Sequence, residues 1–155
     1  MKTVVVLSDT HGYKKSLEEL DTIFAESDII IHLGDTSSDG NLIKNKYPDK
    51  TYVINGNCDL YPLGEDERII EVEKVKIFAC HGHRYGVKTT LTRLAERAKE
   101  LSCRLALYGH SHRMREDEID GVLLINPGAG TRYCQRSYAY IVINGDKIVS
   151  KCVAL

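Results

Sequence analysis

The sequence of 155 residues contains no tryptophan, only three prolines and no long apolar run. A membrane-spanning helix needs roughly 20 apolar residues in succession, and no stretch of this chain comes near that length. The first apolar run ends at Leu7 and an aspartate follows two positions later, which is unlike a signal peptide. We therefore expect a cytoplasmic protein that has no membrane partner.

The chain contains 21 basic and 22 acidic residues, so neither sign of charge is in excess and the formal net charge is −1. Proteins that bind nucleic acid usually carry a basic patch or stripe, so we expect no nucleic-acid partner and find no support for a nuclease. The hydrophobic fraction of 43% and the charged fraction of 28% are those of an ordinary globular protein. The length fits one domain over residues 1–155.

Cysteine pairs at metal-binding or disulfide spacing are also missing. The five cysteines are odd in number and no CxxC pair occurs, which argues against a disulfide framework and against a structural zinc site. Cys80, Cys103 and Cys152 each lie in or beside an apolar segment, so we expect them to pack as small buried side chains.

The apolar segments alternate between strand and helix patterns. Continuous runs such as "TVVVLS" indicate strands buried on both faces, and apolar residues at helical spacing indicate amphipathic helices. The predicted strands cover 3–8, 28–34, 51–56, 67–82 (two strands around a turn near Lys74), 103–109 and much of the tail 122–155; the predicted helices cover 14–26, 39–47 and 88–101. This order predicts an α/β fold in which two sheets pack face to face with helices outside.

Five of the predicted strands end, beside glycine, in residue types that bind metals or phosphate. These residues are Asp9, His11, Asp35, Asn57, Cys58, Asp59, His81, His83, His110 and His112. Sites in α/β sheets form at the carboxyl ends of strands, and glycine lets the backbone approach a ligand closely. His32 is the one histidine outside these clusters, and we predict that it is a half-buried residue that packs or supports the site.

Each residue also has an ordinary structural explanation. A single aspartate after a strand usually caps a helix or forms a turn, and a single histidine is more often a surface or core residue than a ligand. The pairs D-x-H and H-x-H are harder to explain in that way, because alternate side chains of an extended segment lie on the same side.

The donor set is too large for one tetrahedral zinc ion. Two aspartates, one asparagine and four or five histidines suit two metal ions of coordination number five or six that share one carboxylate. Imidazole and carboxylate ligands together favour Mn²⁺, Fe or Zn²⁺ over Ca²⁺. Two metal ions roughly 3.5–4 Å apart are a device for in-line displacement at phosphorus, in which a bridging hydroxide attacks and the cations neutralise phosphate charge.

The order of these blocks resembles that of the calcineurin-like metallophosphoesterases. Their pattern is D-x-H, G-D, G-N-H-[DE], a histidine and G-H-x-H, and this chain reads "SDTHG", "LGDTS", "NGNCDL", "CHGH" and "YGHSH". The segment "NPGAG" (126–130) is similar to a loop in the small bacterial and archaeal phosphodiesterases of the family. The resemblance implies a four-layer α-β-β-α sandwich of two mixed sheets flanked by helices.

The resemblance also implies how two divalent metal ions would share the ligands, with Asp35 bridging them. One ion would be held by Asp9, His11, Asp35 and His112, and the other by Asp35, Asn57, His81 and His110. Mn²⁺ is the ion we expect, with Zn²⁺, Fe, Ni²⁺ or Mg²⁺ as alternatives. Asp59 and His83 match no ligand, and we place them behind the ligands or near the substrate.

Cys58 departs from the common family pattern, although the small members most similar to this chain also carry cysteine there. Most of the family has histidine, which is credited with stabilising the transition state and protonating the leaving oxygen while the neighbouring acid holds it. The implied ligand set and nucleophile are complete without Cys58, and a thiol is a weaker hydrogen-bond donor than imidazolium. We therefore place Asn57 and Cys58 as catalytic positions and expect a phosphodiesterase that hydrolyses activated aryl esters readily and simple monoesters slowly.

These patterns predict a divalent-metal-dependent phosphodiesterase, favoured over a phosphomonoesterase, that acts on a small phosphorylated substrate. The alternative is a non-catalytic metal-binding scaffold, since the same fold serves as the small subunit of the retromer coat. Seven competent donors favour the enzyme, because so many polar groups are costly to keep without a metal. The strand-rich C-terminal region offers an edge for a homodimer.

Overall fold

The computed structural model describes residues 1–155. Ten strands lie at Lys2–Leu7 (β1), Ile29–His32 (β2), Thr51–Val53 (β3), Glu67–Val72 (β4), Val75–Cys80 (β5), Leu105–Leu107 (β6), Met114–Ile119 (β7), Val122–Pro127 (β8), Ser137–Asn144 (β9) and Lys147–Ala154 (β10). Four α-helices lie at Lys15–Glu19 (α1), Asp21–Glu26 (α2), Ser37–Lys46 (α3) and Thr92–Glu100 (α4), and a short 3₁₀ turn covers His83–Tyr85. Every helix is too short or too polar to cross a lipid bilayer.

The strands form two mixed sheets of five strands each. The first has the order β10-β9-β1-β2-β3 and the second the order β4-β5-β6-β8-β7. Strands β1, β2 and β3 run parallel to one another, as do β5, β6 and β8, whereas β9, β10, β4 and β7 pair antiparallel with their neighbours. The predicted α/β sandwich of two mixed sheets with flanking helices is confirmed.

Side-chain alternation in β1 explains why the first sheet is covered on both faces. Val4 and Val6 belong to the apolar core between the two sheets, whereas Val5 and Leu7 pack with Phe24 beneath the first helices. Successive side chains of a strand point to opposite faces, so a strand with four apolar residues in a row must be buried on both.

The second sheet is covered on its outer face by α4. Leu94 and Ala98 of this helix pack against Phe78 of β5 and Leu124 of β8 in a separate apolar cluster. The helix places one apolar stripe on the sheet and leaves its charged residues to solvent, which is the pattern of an amphipathic surface helix. The layers are therefore helix, sheet, sheet and helix.

Cys80, Cys103 and Cys152 were predicted to pack as small buried side chains, because each lies in or beside an apolar segment. Cys80 and Cys103 are buried, and Cys152 is partly buried against the core between the sheets. All five cysteines are free thiols.

Three features of the structure differ from the sequence prediction. The segment predicted as one helix over 14–26 forms two helices, Lys15–Glu19 and Asp21–Glu26, which are separated at Leu20. The strand Met114–Ile119 was not predicted, because its sequence "MREDEI" is charged and it lies at the edge of its sheet, where a strand need not be apolar. The helix predicted over 88–101 begins only at Thr92, whose amide donates a hydrogen bond to the Thr90 hydroxyl at 3.2 Å.

Asp28 anchors the start of β2 to β1, and its contribution should depend on pH. Its carboxylate accepts hydrogen bonds from the Thr3 amide (2.8 Å) and the Lys2 ammonium (3.0 Å), and these contacts lower the pKa of Asp28 to about 2. Because the folded-state pKa lies below the unfolded value, the stabilisation is present above about pH 4 and is lost as the pH falls through about 2. Asp28→Asn should lower the unfolding free energy at pH 7 by about 1 kcal/mol, since solvent screens this exposed group.

Urea unfolding across pH 2 to 8 measures this effect. The difference in unfolding free energy between the wild-type protein and Asp28→Asn should be constant at neutral pH and should disappear as the pH falls through about 2. Asp49→Asn is the matched control, because Asp49 is also exposed but forms no ion pair, and its effect should stay within about 0.5 kcal/mol. A difference in unfolding free energy that grows as the pH falls would show that the ionised Asp28 carboxylate does not stabilise the fold.

Candidate metal centre

The first group of metal-binding side chains surrounds Asp9, in the loop that follows β1. Donor atoms of Asp9, His11 and His112 all lie within 4.8 Å of one another. Oδ1 of Asp9 is 3.0 Å from Nε2 of His112 and 3.8 Å from Nε2 of His11. Asp9 is fully buried whereas the two histidines are partly exposed, so this group opens to solvent on one side.

The second group adjoins the first and follows β2, β5 and β6. Donor atoms of Asp35, His81 and His110 lie within 4.8 Å of one another. Nε2 of His81 is 3.3 Å from Oδ2 of Asp35 and 3.9 Å from Oδ1 of Asp9, so this one nitrogen connects the two groups. The structure thus brings together six of the seven side chains predicted as ligands in two adjoining clusters.

Two buried atoms at this junction fit a metal ion. Nδ1 of His81 donates a hydrogen bond to the Leu33 carbonyl at 2.7 Å, which leaves Nε2 with a free lone pair. Nε2 of His81 is buried and has no hydrogen-bond partner, and the buried Oδ1 of Asp9, although 3.0 Å from Nε2 of His112, is not aligned for a hydrogen bond with it. A lone pair and a carboxylate oxygen that face each other without a proton repel, whereas a cation between them would satisfy both.

The pKa values show how strongly the two carboxylates act on the neighbouring histidines. Burial alone would lower the pKa of His81, but Asp35 and Asp9 together raise it. Contact with Asp9 likewise raises the pKa of His112. By contrast, burial and the charge of His81 lower the pKa of His110 to about 4. The centre of the site is thus anionic enough to attract positive charge, which is the electrostatic requirement for binding a divalent cation.

The backbone is strained at these positions. Five residues of the two groups adopt left-handed conformations with positive φ: Asp9 (52°), His11 (47°), Asp35 (47°), His110 (69°) and His112 (59°). Such conformations cost non-glycine residues about 1–3 kcal/mol each and are found mainly at functional sites. The fold therefore holds these side chains in place against their local preference.

Two glycines allow the loops to meet at the site. A Cβ atom at Gly109 would lie 2.1 Å from Oγ of Ser8, and one at Gly56 would lie 2.0 Å from Oδ1 of Asp35. No other residue fits at either position without displacing a side chain of the site.

Asn57 and Cys58 lie at the solvent-exposed edge of the second group. The Asn57 amide nitrogen donates to Sγ of Cys58 at 3.6 Å, and Asn57 is the one predicted ligand outside the two groups. The Cys58 amide donates a hydrogen bond to Oδ1 of Asp35 at 2.9 Å. Burial and the charge of Asp35 raise the pKa of Cys58, so its side chain is a protonated thiol at neutral pH.

Asp59 holds the loop after β2 against the loop after β3. Its two carboxylate oxygens accept hydrogen bonds from the backbone amides of Gly56 (2.7 Å), Ser37 (2.8 Å) and Asp35 (3.1 Å). The carboxylate thus accepts three backbone hydrogen bonds, which position the loop that carries Asp35, and forms no bond to a side chain at position 58.

His83 lies beside the second group. Its ring centroid is 5.4 Å from that of His81 and 6.0 Å from that of His110. Nδ1 of His83 is buried and has no hydrogen-bond partner. Burial lowers the pKa of His83, so it is a neutral imidazole next to the site.

A buried chain of hydrogen bonds supports the first loop and was not predicted from the sequence. The Thr10 hydroxyl donates to Oδ2 of Asp39 at 2.6 Å, so it accepts from Nε2 of His32 at 3.0 Å. Nδ1 of His32 accepts from the Gly34 amide, and Oδ2 of Asp39 also accepts from the Gly12 amide. His32 is fully buried rather than half-buried, and burial lowers its pKa to about 4. It therefore serves as a neutral link between two site loops.

Ser8 and Asn126 complete this support. The Ser8 hydroxyl and the His110 amide donate to Oδ2 of Asp9 at 2.5 and 3.0 Å. The Asn126 amide group donates to the Gly109 carbonyl at 3.0 Å and ties the "NPGAG" segment to the loop that carries His110. The sequence offered three signals for this support: Ser8 stands beside Asp9, Asn126 begins the "NPGAG" segment, and His32 lies apart from the ligand clusters.

Comparison with known proteins places this site in a family. The profile of the calcineurin-like phosphoesterase superfamily domain matches residues 1–147. A probable metallophosphoesterase of Bacillus subtilis is 36% identical over 152 residues, covering 92% of this chain and 85% of the relative. A protein named phosphodiesterase from Methanocaldococcus jannaschii is 30% identical over 146 residues, covering 79% of this chain and 81% of the relative.

Solved structures share the fold over nearly the whole chain. A predicted phosphoesterase of Streptococcus pneumoniae superimposes with a TM-score of 0.81 at 24% identity, covering 99% of this chain and 98% of the other. Vps29 of Entamoeba histolytica, in a complex with Zn²⁺, superimposes with a TM-score of 0.79 at 20% identity, with the same coverage.

Proposed function

The chain belongs to the calcineurin-like phosphoesterase superfamily, and on that premise we propose that it is a divalent-metal-dependent phosphodiesterase. The observation that carries the proposal is the junction of the two ligand groups. There Nε2 of His81 lies 3.3 Å from Asp35 and 3.9 Å from Asp9, buried and without a hydrogen-bond partner. Two adjoining anionic groups suit two metal ions better than one.

The residues that would hold the metal ions are those of the two groups together with the Asn57 amide oxygen. Two divalent cations bound there would generate a nucleophile from water near neutral pH and neutralise the charge of the phosphate oxygens. Mixed imidazole and carboxylate donors favour Mn²⁺, with Zn²⁺ and Fe as alternatives. The chain's own part is to hold these donors rigidly, which the bonds of Asp59, Asn126 and the Leu33 carbonyl accomplish.

The identity of residue 58 favours diesters of good leaving groups. The Cys58 thiol is a weaker proton donor than an imidazolium, so the leaving oxygen has to depart with little assistance. Activated aryl diesters meet that condition, whereas alkyl monoesters do not. The exposed edge of the first ligand group, at His11 and His112, would admit a small substrate without a lid.

The proposal is tested by stripping the protein with a chelator and assaying it against bis(p-nitrophenyl) phosphate and p-nitrophenyl phosphate, with and without Mn²⁺. We expect no hydrolysis by the stripped protein, restoration by Mn²⁺, and faster turnover of the diester than of the monoester. Both esters release p-nitrophenolate, so this comparison tests the preference for diesters separately from assistance to the leaving group. Stoichiometric metal binding without turnover of either ester would overturn the proposal and favour a metal-binding scaffold.

A further inference from the structure

A pocket of about 270 Å³ opens next to the first ligand group. It is lined by His11, Gly12, Tyr13, Thr131, Arg132 and Tyr133. His11 belongs to both the pocket and the first ligand group. A phosphoester whose phosphate occupies the metal centre would therefore place one of its substituents in this pocket. Whole small-molecule sites usually measure about 300–1,000 Å³, so this one suits a single ring system.

The backbone that forms the pocket is held firmly. The Gly12 amide donates to Oδ2 of Asp39 at 2.8 Å. On the other side, the Gly130 amide donates to the Ser8 carbonyl at 2.8 Å, and the Gly130 carbonyl accepts from the Ser16 hydroxyl at 2.6 Å. Tyr13 and Thr131, which follow these two glycines, are therefore held on a fixed backbone. A specific binding pocket requires such preorganisation.

Thr131 contributes a hydroxyl that nothing in the chain satisfies. Its residue is only 2% exposed, and Oγ1 is buried without a hydrogen-bond partner. A buried hydroxyl without a hydrogen-bond partner is unfavourable, so a ligand that supplies a partner gains affinity. A hydrocarbon ring without polar atoms would leave the Thr131 hydroxyl unpaired.

The remaining lining is aromatic and cationic. The Arg132 guanidinium lies 5.1 Å from the centre of the Tyr133 ring, and the Arg136 guanidinium lies 5.5 Å from that of Tyr13. Tyr133 is nevertheless 78% exposed, so much of its ring is available to a ligand. Exposed tyrosine rings backed by arginine are the usual platform on which planar bases stack.

We propose that this pocket binds the nucleobase of a nucleoside phosphoester, stacked on tyrosine and hydrogen-bonded by Thr131 and Arg132. The proposal rests on the phosphodiesterase function and assigns it a substrate class. A nucleobase meets all three requirements together, since it is one planar ring system, it has a face for stacking and its edge carries hydrogen-bonding atoms.

The first test compares two esters that share the p-nitrophenolate leaving group, a thymidine 5′-ester and a methyl ester of p-nitrophenyl phosphate. The Mn²⁺-loaded protein should show a KM at least tenfold lower for the nucleoside ester. Tyr133→Ala should raise the KM for the nucleoside ester on the order of tenfold and so remove the preference over the methyl ester, because stacking contributes only when a base is present. Thr131→Val should raise the same KM about three- to tenfold without lowering the thermal midpoint, because it removes an unpaired hydroxyl.

Tyr61→Ala is the matched control, because Tyr61 is 89% exposed and lies outside the pocket, and it should leave the nucleoside preference unchanged. A second measurement, calorimetry of the Mn²⁺-loaded protein, compares a nucleoside phosphonate with methylphosphonate. Tighter binding of the nucleoside probe that Tyr133→Ala abolishes supports the pocket even if no ester is hydrolysed, in which case only the proposed function fails. Hydrolysis of both esters with equal KM, or nucleoside binding unaffected by Tyr133→Ala and Thr131→Val, would overturn the pocket assignment alone.

Discussion

Asp35→Asn is expected to reduce Mn²⁺-dependent hydrolysis of bis(p-nitrophenyl) phosphate on the order of 10³-fold. Oδ2 of Asp35 lies 3.3 Å from Nε2 of His81 in the second ligand group, so the substitution removes the negative charge of that group. Groups that only orient a metal ligand contribute about 10–100-fold, and a ligand itself should contribute more. The amide keeps the size of the side chain and can still accept the Cys58 amide hydrogen bond, so the loop should stay folded.

The accompanying measurement is the thermal shift produced by Mn²⁺. A ligand at one hundred times its Kd stabilises the folded state by about 2.7 kcal/mol, and the variant should lose much of this gain. Asp49→Asn makes the same chemical change at an exposed residue away from the site and should retain full activity and the full shift. If Asp35→Asn kept more than a tenth of the activity together with the full shift, Asp35 would not be a metal ligand.

Cys58→His is expected to accelerate hydrolysis of esters with poor leaving groups by about tenfold, while aryl esters change less than threefold. General-acid assistance typically contributes on the order of 10²–10⁴-fold when the acid is well positioned. The gain should fall at or below the low end of this range, because the Asp59 carboxylate already accepts three backbone hydrogen bonds and is not free to orient a histidine at position 58.

Steady-state kinetics with a methyl aryl phosphate and a dialkyl phosphate, both with Mn²⁺, separates the two classes of leaving group. Cys58→Ser provides the control, since it retains a small hydroxyl donor and should change both rates by less than threefold. Unchanged rates of Cys58→His on both classes would show that residue 58 takes no part in departure of the leaving oxygen.

The sequence predicted the ligand types and the burial of strands such as β1 on both faces, because both are local properties. Successive side chains of the apolar run "TVVVLS" point to opposite faces, so this strand has to be buried on both faces. The D-x-H and H-x-H spacings place metal-binding side chains at strand ends. Parallel strands bring such ends to one edge of a sheet, so the approximate place of Asp9 and His110 followed from the pattern. The strand Met114–Ile119 could not be predicted in this way, because an edge strand with charged residues has no apolar period.

Only the tertiary structure decided which residues support the ligands and what lies beside them. The contacts of Asp59 with Ser37 and of Thr10 with Asp39 join residues 22 and 29 positions apart, and no local pattern encodes them. The same holds for Thr131, whose hydroxyl is buried without a partner only because the loop after β8 packs against the loop after β1. Residue type and spacing thus determined the chemistry available at this site, whereas long-range packing determined its geometry and the pocket next to it.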